Sequence, residues 1–176
     1  IIAIGWNNAT SNITSVTDSA GNVYELAVPI ERGDNLSQAI YFAKNISAAA
    51  PGSNMLTVVF DRPTEFVDIR ATEYSGLDPV NPFDQGASAS GNSSQASSGG
   101  VTTSAANELI FGAGMTGGVF SAAGAGFTTR IITVPDSDIA VDQLATTIGS
   151  YAATAILSAP SFWVMQVATF KAAGQG

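Results

Sequence analysis

Cysteine and histidine are both absent from this 176-residue chain, and lysine occurs only at Lys44 and Lys171. Without cysteine there is no disulfide scaffold, no thiol nucleophile and no Cys-ligated zinc site. Without histidine the commonest general base and the commonest zinc ligand are missing. Charge is scarce too, since only 11% of residues are Asp, Glu, Lys or Arg. Six cations against 14 carboxylates leave a net charge of -8, which repels nucleic acid and anionic lipid and argues against both as partners. No apolar run reaches the ~18 residues of a membrane-spanning helix. No signal peptide is present, and no initiator methionine precedes Ile1; a leader already removed would leave such a start.

What is present is small and polar or β-branched. Ser, Thr, Asn, Gly and Ala must cover most of the surface, and that acidic, lysine-poor composition suits an extracellular or cell-surface protein of a prokaryote. Segment after segment has strand length and flanking turn residues. Ile13–Thr17 and Val23–Val28 read as a hairpin around Asp18-Ser19-Ala20-Gly21-Asn22, with Asp18 opening the turn and Gly21 closing it. Strands follow at 38–43, 55–60, 65–74, 109–115, 127–134, 139–148, 151–157 and 162–170. In 65–74, Val67, Ile69 and Ala71 share one face and Asp68, Arg70 and Thr72 the other, the alternation of a half-buried antiparallel strand. No segment sustains a helical period. About ten strands with turns at this spacing predict an all-β fold, an antiparallel β-sandwich of jelly-roll or Greek-key type. The segment 78–104 is poor in large apolar residues and rich in Gly, Ser and Ala, so it reads as a long surface loop with at most a short edge strand. The whole of 1–176 is expected to be one domain.

Five phrases occur together in order: Val16 to Tyr24 (VTDSAGNVY), Ile40 to Ile46 (IYFAKNI), Glu73 to Leu77 (EYSGL), Ala106 to Gly112 (ANELIFG) and Trp163 to Gln166 (WVMQ). By these the chain resembles a group of bacterial secreted β-sandwich modules, found in large cell-surface proteins beside immunoglobulin-like and carbohydrate-binding modules. The resemblance spans nearly the whole chain and implies the sandwich fold. It implies no activity and no catalytic residue. Members of the group carry a further stretch before the equivalent of Ile1 that supplies a first strand and a turn. The resemblance therefore implies a first sheet short of one strand beside Ile1–Trp6.

That expected edge leads to the first set of candidate residues. Ile1, Ile2, Ile4 and Trp6 form an abrupt apolar strand start, and Trp163, Met165 and Val167 lie in Phe162–Phe170, which is apolar on both faces. Either this strand is central and covered on both sides, or one face or edge meets another subunit. Calcium takes six to eight oxygen ligands, and Asp136, Asp138 and Asp142 are the first candidates for it. Asp78, Asn81 and Asp84, and Asp18 with Asn22, follow, although turn chemistry explains each more simply. No other cofactor is expected. Paired carboxylates for glycoside hydrolysis would have to be Glu73 and Glu108. Trp6, Tyr24, Tyr41, Tyr74, Tyr151 and Trp163 are potential sugar platforms or, alternatively, core. Sequons stand at Asn8, Asn12, Asn35, Asn45 and Asn92.

Three functions compete. The first is an extracellular, non-catalytic structural or adhesive surface subunit that self-associates into an oligomer or polymer, a filament by strand donation among them. The second is a carbohydrate-binding or adhesin module of a larger secreted protein, with glycans as partners. The third, a hydrolase domain, rests only on Glu73 and Glu108.

Overall fold

A computed structural model describes residues 1–174, and it is all-β. Fourteen strands follow in order: β1 (Ile2–Asn7), β2 (Ile13–Asp18), β3 (Tyr24–Arg32), β4 (Leu36–Ala43), β5 (Leu56–Phe60), β6 (Glu65–Ala71), β7 (Phe83–Ser97), β8 (Val101–Thr102), β9 (Glu108–Thr116), β10 (Phe120–Ala123), β11 (Thr128–Ile132), β12 (Ile139–Ala145), β13 (Ser150–Tyr151) and β14 (Thr154–Phe170). Four strands in the order β3-β4-β1-β6 make the first sheet. The second runs β7-β14-β9-β12-β11, with β10 added beside the first half of β14. All named pairings are antiparallel.

The two sheets pack face to face. Ala3, Val28, Ile40 and Phe42 of the first meet Leu109, Phe111, Ala140, Ala168 and Phe170 of the second. Phe42, Phe83 and Phe170 close one end of this layer, with ring centroids 5.5–6.0 Å apart. The far face of the first sheet presents Ile2, Ile4 and Trp6 to Ile13, Val16, Leu56, Val58 and Phe60 of the β2–β5 ribbon. The far face of the second sheet is buried as well. A register break between Ile156 and Ser161 bends β14, so its first half, with Phe120 and Val101, covers Ile110, Val141, Trp163, Met165 and Val167. Every residue of β9 is buried for this reason, as a strand covered on both faces requires.

Several sequence expectations need correction here. The turn at Asp18–Asn22 forms, with Gly21 N–H donating to Asp18 O, but β2 and β3 do not pair. β2 pairs with β5 and β3 with β4, because Val28 faces the core between the sheets while Ile13 and Val16 pack over the far face of the first sheet. The segment 78–104 is not a long loop: 83–97 is the longest strand but one, and it runs along β14 from Phe83 to Ser97. Its small residues are what that place demands. Gly91 lies under the Trp163 ring, where a Cβ would come within 2.6 Å of the indole. Low apolar content therefore signals tight edge packing here, not a loop.

β6 inverts the expected burial. Arg70 is the buried residue of the strand, while Val67 and Ile69 are exposed. The polar face of β6 looks into the sandwich, and the β2–β5 ribbon does not reach far enough to cover the apolar one.

Candidate functional site

The loops at one end of the first sheet enclose a groove of about 490 Å³. β4 runs out into Lys44 and Asn45, β6 into Thr72, Glu73 and Tyr74, and β3 begins at Tyr24; these ends build the walls. The floor is apolar, with Ile2, Phe42, Leu77 and Phe170 beneath a rim of hydroxyl, amide and charged groups. A second hollow of about 400 Å³ lies under the 46–52 loop and shares Ile46, Asn54 and Glu73 with the first. Glu73 thus stands at the waist between them.

Asp18 holds one wall in place without lining the groove. Its carboxylate accepts hydrogen bonds from Asn22 N–H (2.9 Å), Asn22 Nδ2 (2.7 Å), Tyr24 Oη (2.9 Å) and Asn54 Nδ2 (2.9 Å). Donation by Asn54, with that of Asn22 and Tyr24, keeps the Asp18 carboxyl well below the usual carboxylate range. Burial and the Asp18 carboxylate push the Tyr24 phenol up to about 12. Tyr74 is fixed from the opposite side. Its hydroxyl donates to Asp142 Oδ2 at 2.6 Å, its ring meets Phe111 edge-on, and burial raises its phenol likewise. Both tyrosines are neutral phenols at physiological pH. Lys44 forms an ion pair with Glu25 at 2.9 Å.

The carboxylates of the proposed chemistry are dispersed. Glu73 is exposed at the groove, whereas Glu108 is buried at the start of β9 and does not line it. Glu108 Oε1 accepts Ala105 N–H at 2.9 Å, and burial raises its carboxyl beside Asp84. Asp84 in turn accepts from Ser104 N–H (2.8 Å) and Oγ (2.6 Å). The structure therefore does not bring Glu73 and Glu108 together across a common cleft. Asp78, the other carboxylate near the groove, accepts Val80 and Asn81 N–H in a turn, and these bonds hold it below the ordinary range.

The calcium candidates are also spoken for. Asp138 is buried between the sheets, accepting Thr116 N–H at 3.0 Å with Arg70 Nη2 at 3.9 Å. Asp142 bonds Tyr74 and, at 2.6 Å, Arg130. Asp136 lies in the turn before Asp138, outside both clusters. A cationic partner on each buried carboxylate is the reverse of a calcium cage, and no group of three or more acidic side chains gathers among the described residues.

The edge expected beside Ile1–Trp6 is occupied. β1 is an inner strand, paired with β4 on one side and β6 on the other from Ile2 to Asn7. Ile2, Ile4 and Trp6 are core under the β2–β5 ribbon, and Ile1 lines the groove. Trp163, Met165 and Val167 are core under the bent half of β14; of the seven candidates, only Ile1 keeps partial exposure. Of the aromatic candidates, Trp6 and Trp163 are buried, while Tyr41 and Tyr151 pack against core clusters. Only Tyr24 and Tyr74 reach the groove. Among the sequons, Asn8 is turned inward as a cap for Thr10 and Ser11 N–H, and Asn12 is bound to Asp61 and Arg32. Asn35, Asn45 and Asn92 are exposed.

Lys44 and Asn54 were not singled out as groove residues by the sequence. Their signal was the polar stretch between two strands, Lys44-Asn45 and Pro51 to Asn54, flanking three alanines. Comparison with family models, with curated proteins and with solved structures yields no match.

Proposed function

We propose that the chain is a non-catalytic adhesive module of the cell exterior whose end groove binds carbohydrate. One observation carries the reading: an apolar floor lies beneath fixed neutral hydrogen-bonding groups, Tyr24, Asn54 and Tyr74, in a groove of ligand size. A sugar ring has the matching make-up, with an apolar C–H face and a rim of hydroxyls, and tyrosine offers a flat face and a polar edge to it. Asp18 pre-orders one wall, so less ordering entropy is lost on binding. The acidic, lysine-poor composition and the resemblance to secreted surface modules support the location.

Binding to an array of neutral glycans, repeated with Tyr24→Ala and Asn54→Ala, tests this. Loss of signal in both variants is expected. Absence of binding by the parent protein, or binding indifferent to both substitutions, overturns it.

Self-association as a structural subunit is a separate reading that rests on the low-charge surface, with only 11% charged residues, and not on the β6 edge. A concentration series by sedimentation tests it: growth into oligomers would support it, and a monomer at all concentrations removes it.

A further inference from the structure

We propose that the free edge of β6 is a docking site for an extended cationic segment of a partner protein, which adds to the first sheet as a new outer strand. The inference does not rest on the saccharide reading, although Ala71 and Glu73 border both sites.

The main-chain register shows what the edge offers. Ile1 N donates to Thr72 O and Thr72 N–H donates to Ile1 O, both at 2.9 Å. Thr72 therefore belongs to a mutually bonded pair with β1. Bonded pairs recur at every second residue of an antiparallel ladder, so Arg70 opposite Ala3 and Asp68 opposite Gly5 also turn their main-chain groups towards β1. Between them, Ile69 and Ala71 turn N–H and C=O outward, and Val67 turns its C=O outward. No hydrogen bond from another described residue meets these outward groups. The N–H and C=O groups of Ile69 and Ala71, with the C=O of Val67, form a template for strand addition.

The side chains make the same offer. Val67 and Ile69 are 41% and 39% exposed beside the edge of the Ile2–Ile4 cluster. At the start of β6 the register slips opposite Trp6, and Phe66 adopts φ 48° and is 64% exposed. A bulky residue in the left-handed region is a strained one. Here the strain displays an aromatic ring at the mouth of the edge.

Charge identifies the occupant. Glu65 and Glu73 flank the strip, both exposed and outside every ion pair among the described residues, on a chain of net charge -8. A second copy is a poor fit. Symmetric β6–β6 pairing centred on Ile69 brings Glu65 to Glu73 at both ends. Centring on Asp68 sets that residue opposite itself. Like charges across a strand pair are destabilising. A strand of alternating β-branched residues with Lys or Arg at each end meets the apolar strip and both carboxylates.

The test uses the full chain and a synthetic peptide of alternating valine and threonine with a lysine at each end. A control peptide carries glutamate at each end. The lysine peptide is expected to bind at least about tenfold more tightly than the control and to weaken with salt. Amide exchange at Ile69 and Ala71 should slow. Ile69→Pro deletes one outward N–H without touching a β1 bond and should abolish binding. Ile69→Lys, which leaves the backbone unaltered, should weaken it by setting a charge in the apolar centre of the strip, opposite the uncharged middle of the peptide. Tyr24→Ala should leave it unchanged, which separates the edge from the groove. Equal binding of the two peptides, no binding of either, full binding by Ile69→Lys, or dimerisation of the protein through β6 would each overturn the proposal.

Discussion

Replacing Arg70 by methionine should destabilise the sandwich in a way that depends on pH. The Arg70 guanidinium lies fully enclosed between the sheets, and Gly5 makes room for it: a Cβ there would sit 2.9 Å from Arg70 Nη2. Arg70 Nη1 donates to Gly114 O (2.6 Å) and Ile139 O (3.0 Å), and Nη2 donates to Gln38 Oε1 (2.8 Å). Methionine fills similar volume but strands three acceptors, each at a cost of about 1 kcal/mol, or roughly 3 kcal/mol together. Asp138 adds the pH dependence. Burial pushes its carboxyl up from 3.8 to about 7 against the pull of Arg70. A raised folded-state pKa means that the folded protein binds the proton more tightly than the unfolded chain does. The contribution of Asp138 is thus most favourable below about pH 4 and declines as pH rises to about 7. Removing Arg70 raises that carboxyl further, so the decline continues beyond pH 7 at about 1.4 kcal/mol per pH unit. Urea unfolding should show a loss of about 3 kcal/mol at about pH 5 and about 4 kcal/mol at about pH 8. A loss below about 1 kcal/mol at both pH values, or one that shrinks as pH rises, would refute the reasoning.

Ile4→Ala should cost about 2–5 kcal/mol in chemical unfolding with no change in sedimentation, because Ile4 is core under the β2–β5 ribbon and not an assembly contact. Gly112→Ala should cost about 1–3 kcal/mol in the same assay, since its Cβ would lie 2.5 Å from Ala153 Cβ and 2.8 Å from Val141 Cγ2. Asp18→Ala should weaken saccharide binding although Asp18 does not line the groove, with affinity falling and the thermal transition still cooperative. Its hydrogen bonds to Tyr24 and Asn54 are the ones lost.

The all-β antiparallel sandwich was legible because strand signals are local. β-branched runs, alternation and Asx turns report on neighbours along the chain, and β4, β5, β9 and β12 fall close to where those signals put them. Pairing was not legible, since it depends on which layer each apolar face seeks. A good turn at Asp18–Asn22 therefore joins strands of different sheets. β7 was missed because composition distinguishes poorly between a polar loop and a strand of small residues lying under Trp163. In β6 the alternation was visible but its sense was not. Which face is buried depends on the Arg70 partners Gly114, Ile139 and Gln38, all distant in sequence. The groove shares this character. Tyr24 and Tyr74 were among the aromatics singled out, yet only the meeting of three strand ends separates them from Trp6, Tyr41, Tyr151 and Trp163.

The central claim is that the end groove is the binding site, and titration of the labelled protein with glycan-array hits while following its amide and side-chain amide resonances tests it most directly. Saturable shifts confined to Asn45, Asn54, Thr72, Glu73 and their neighbours are the predicted result. Shifts that centre on any other surface, or a spectrum that none of the saccharides perturbs, would contradict it.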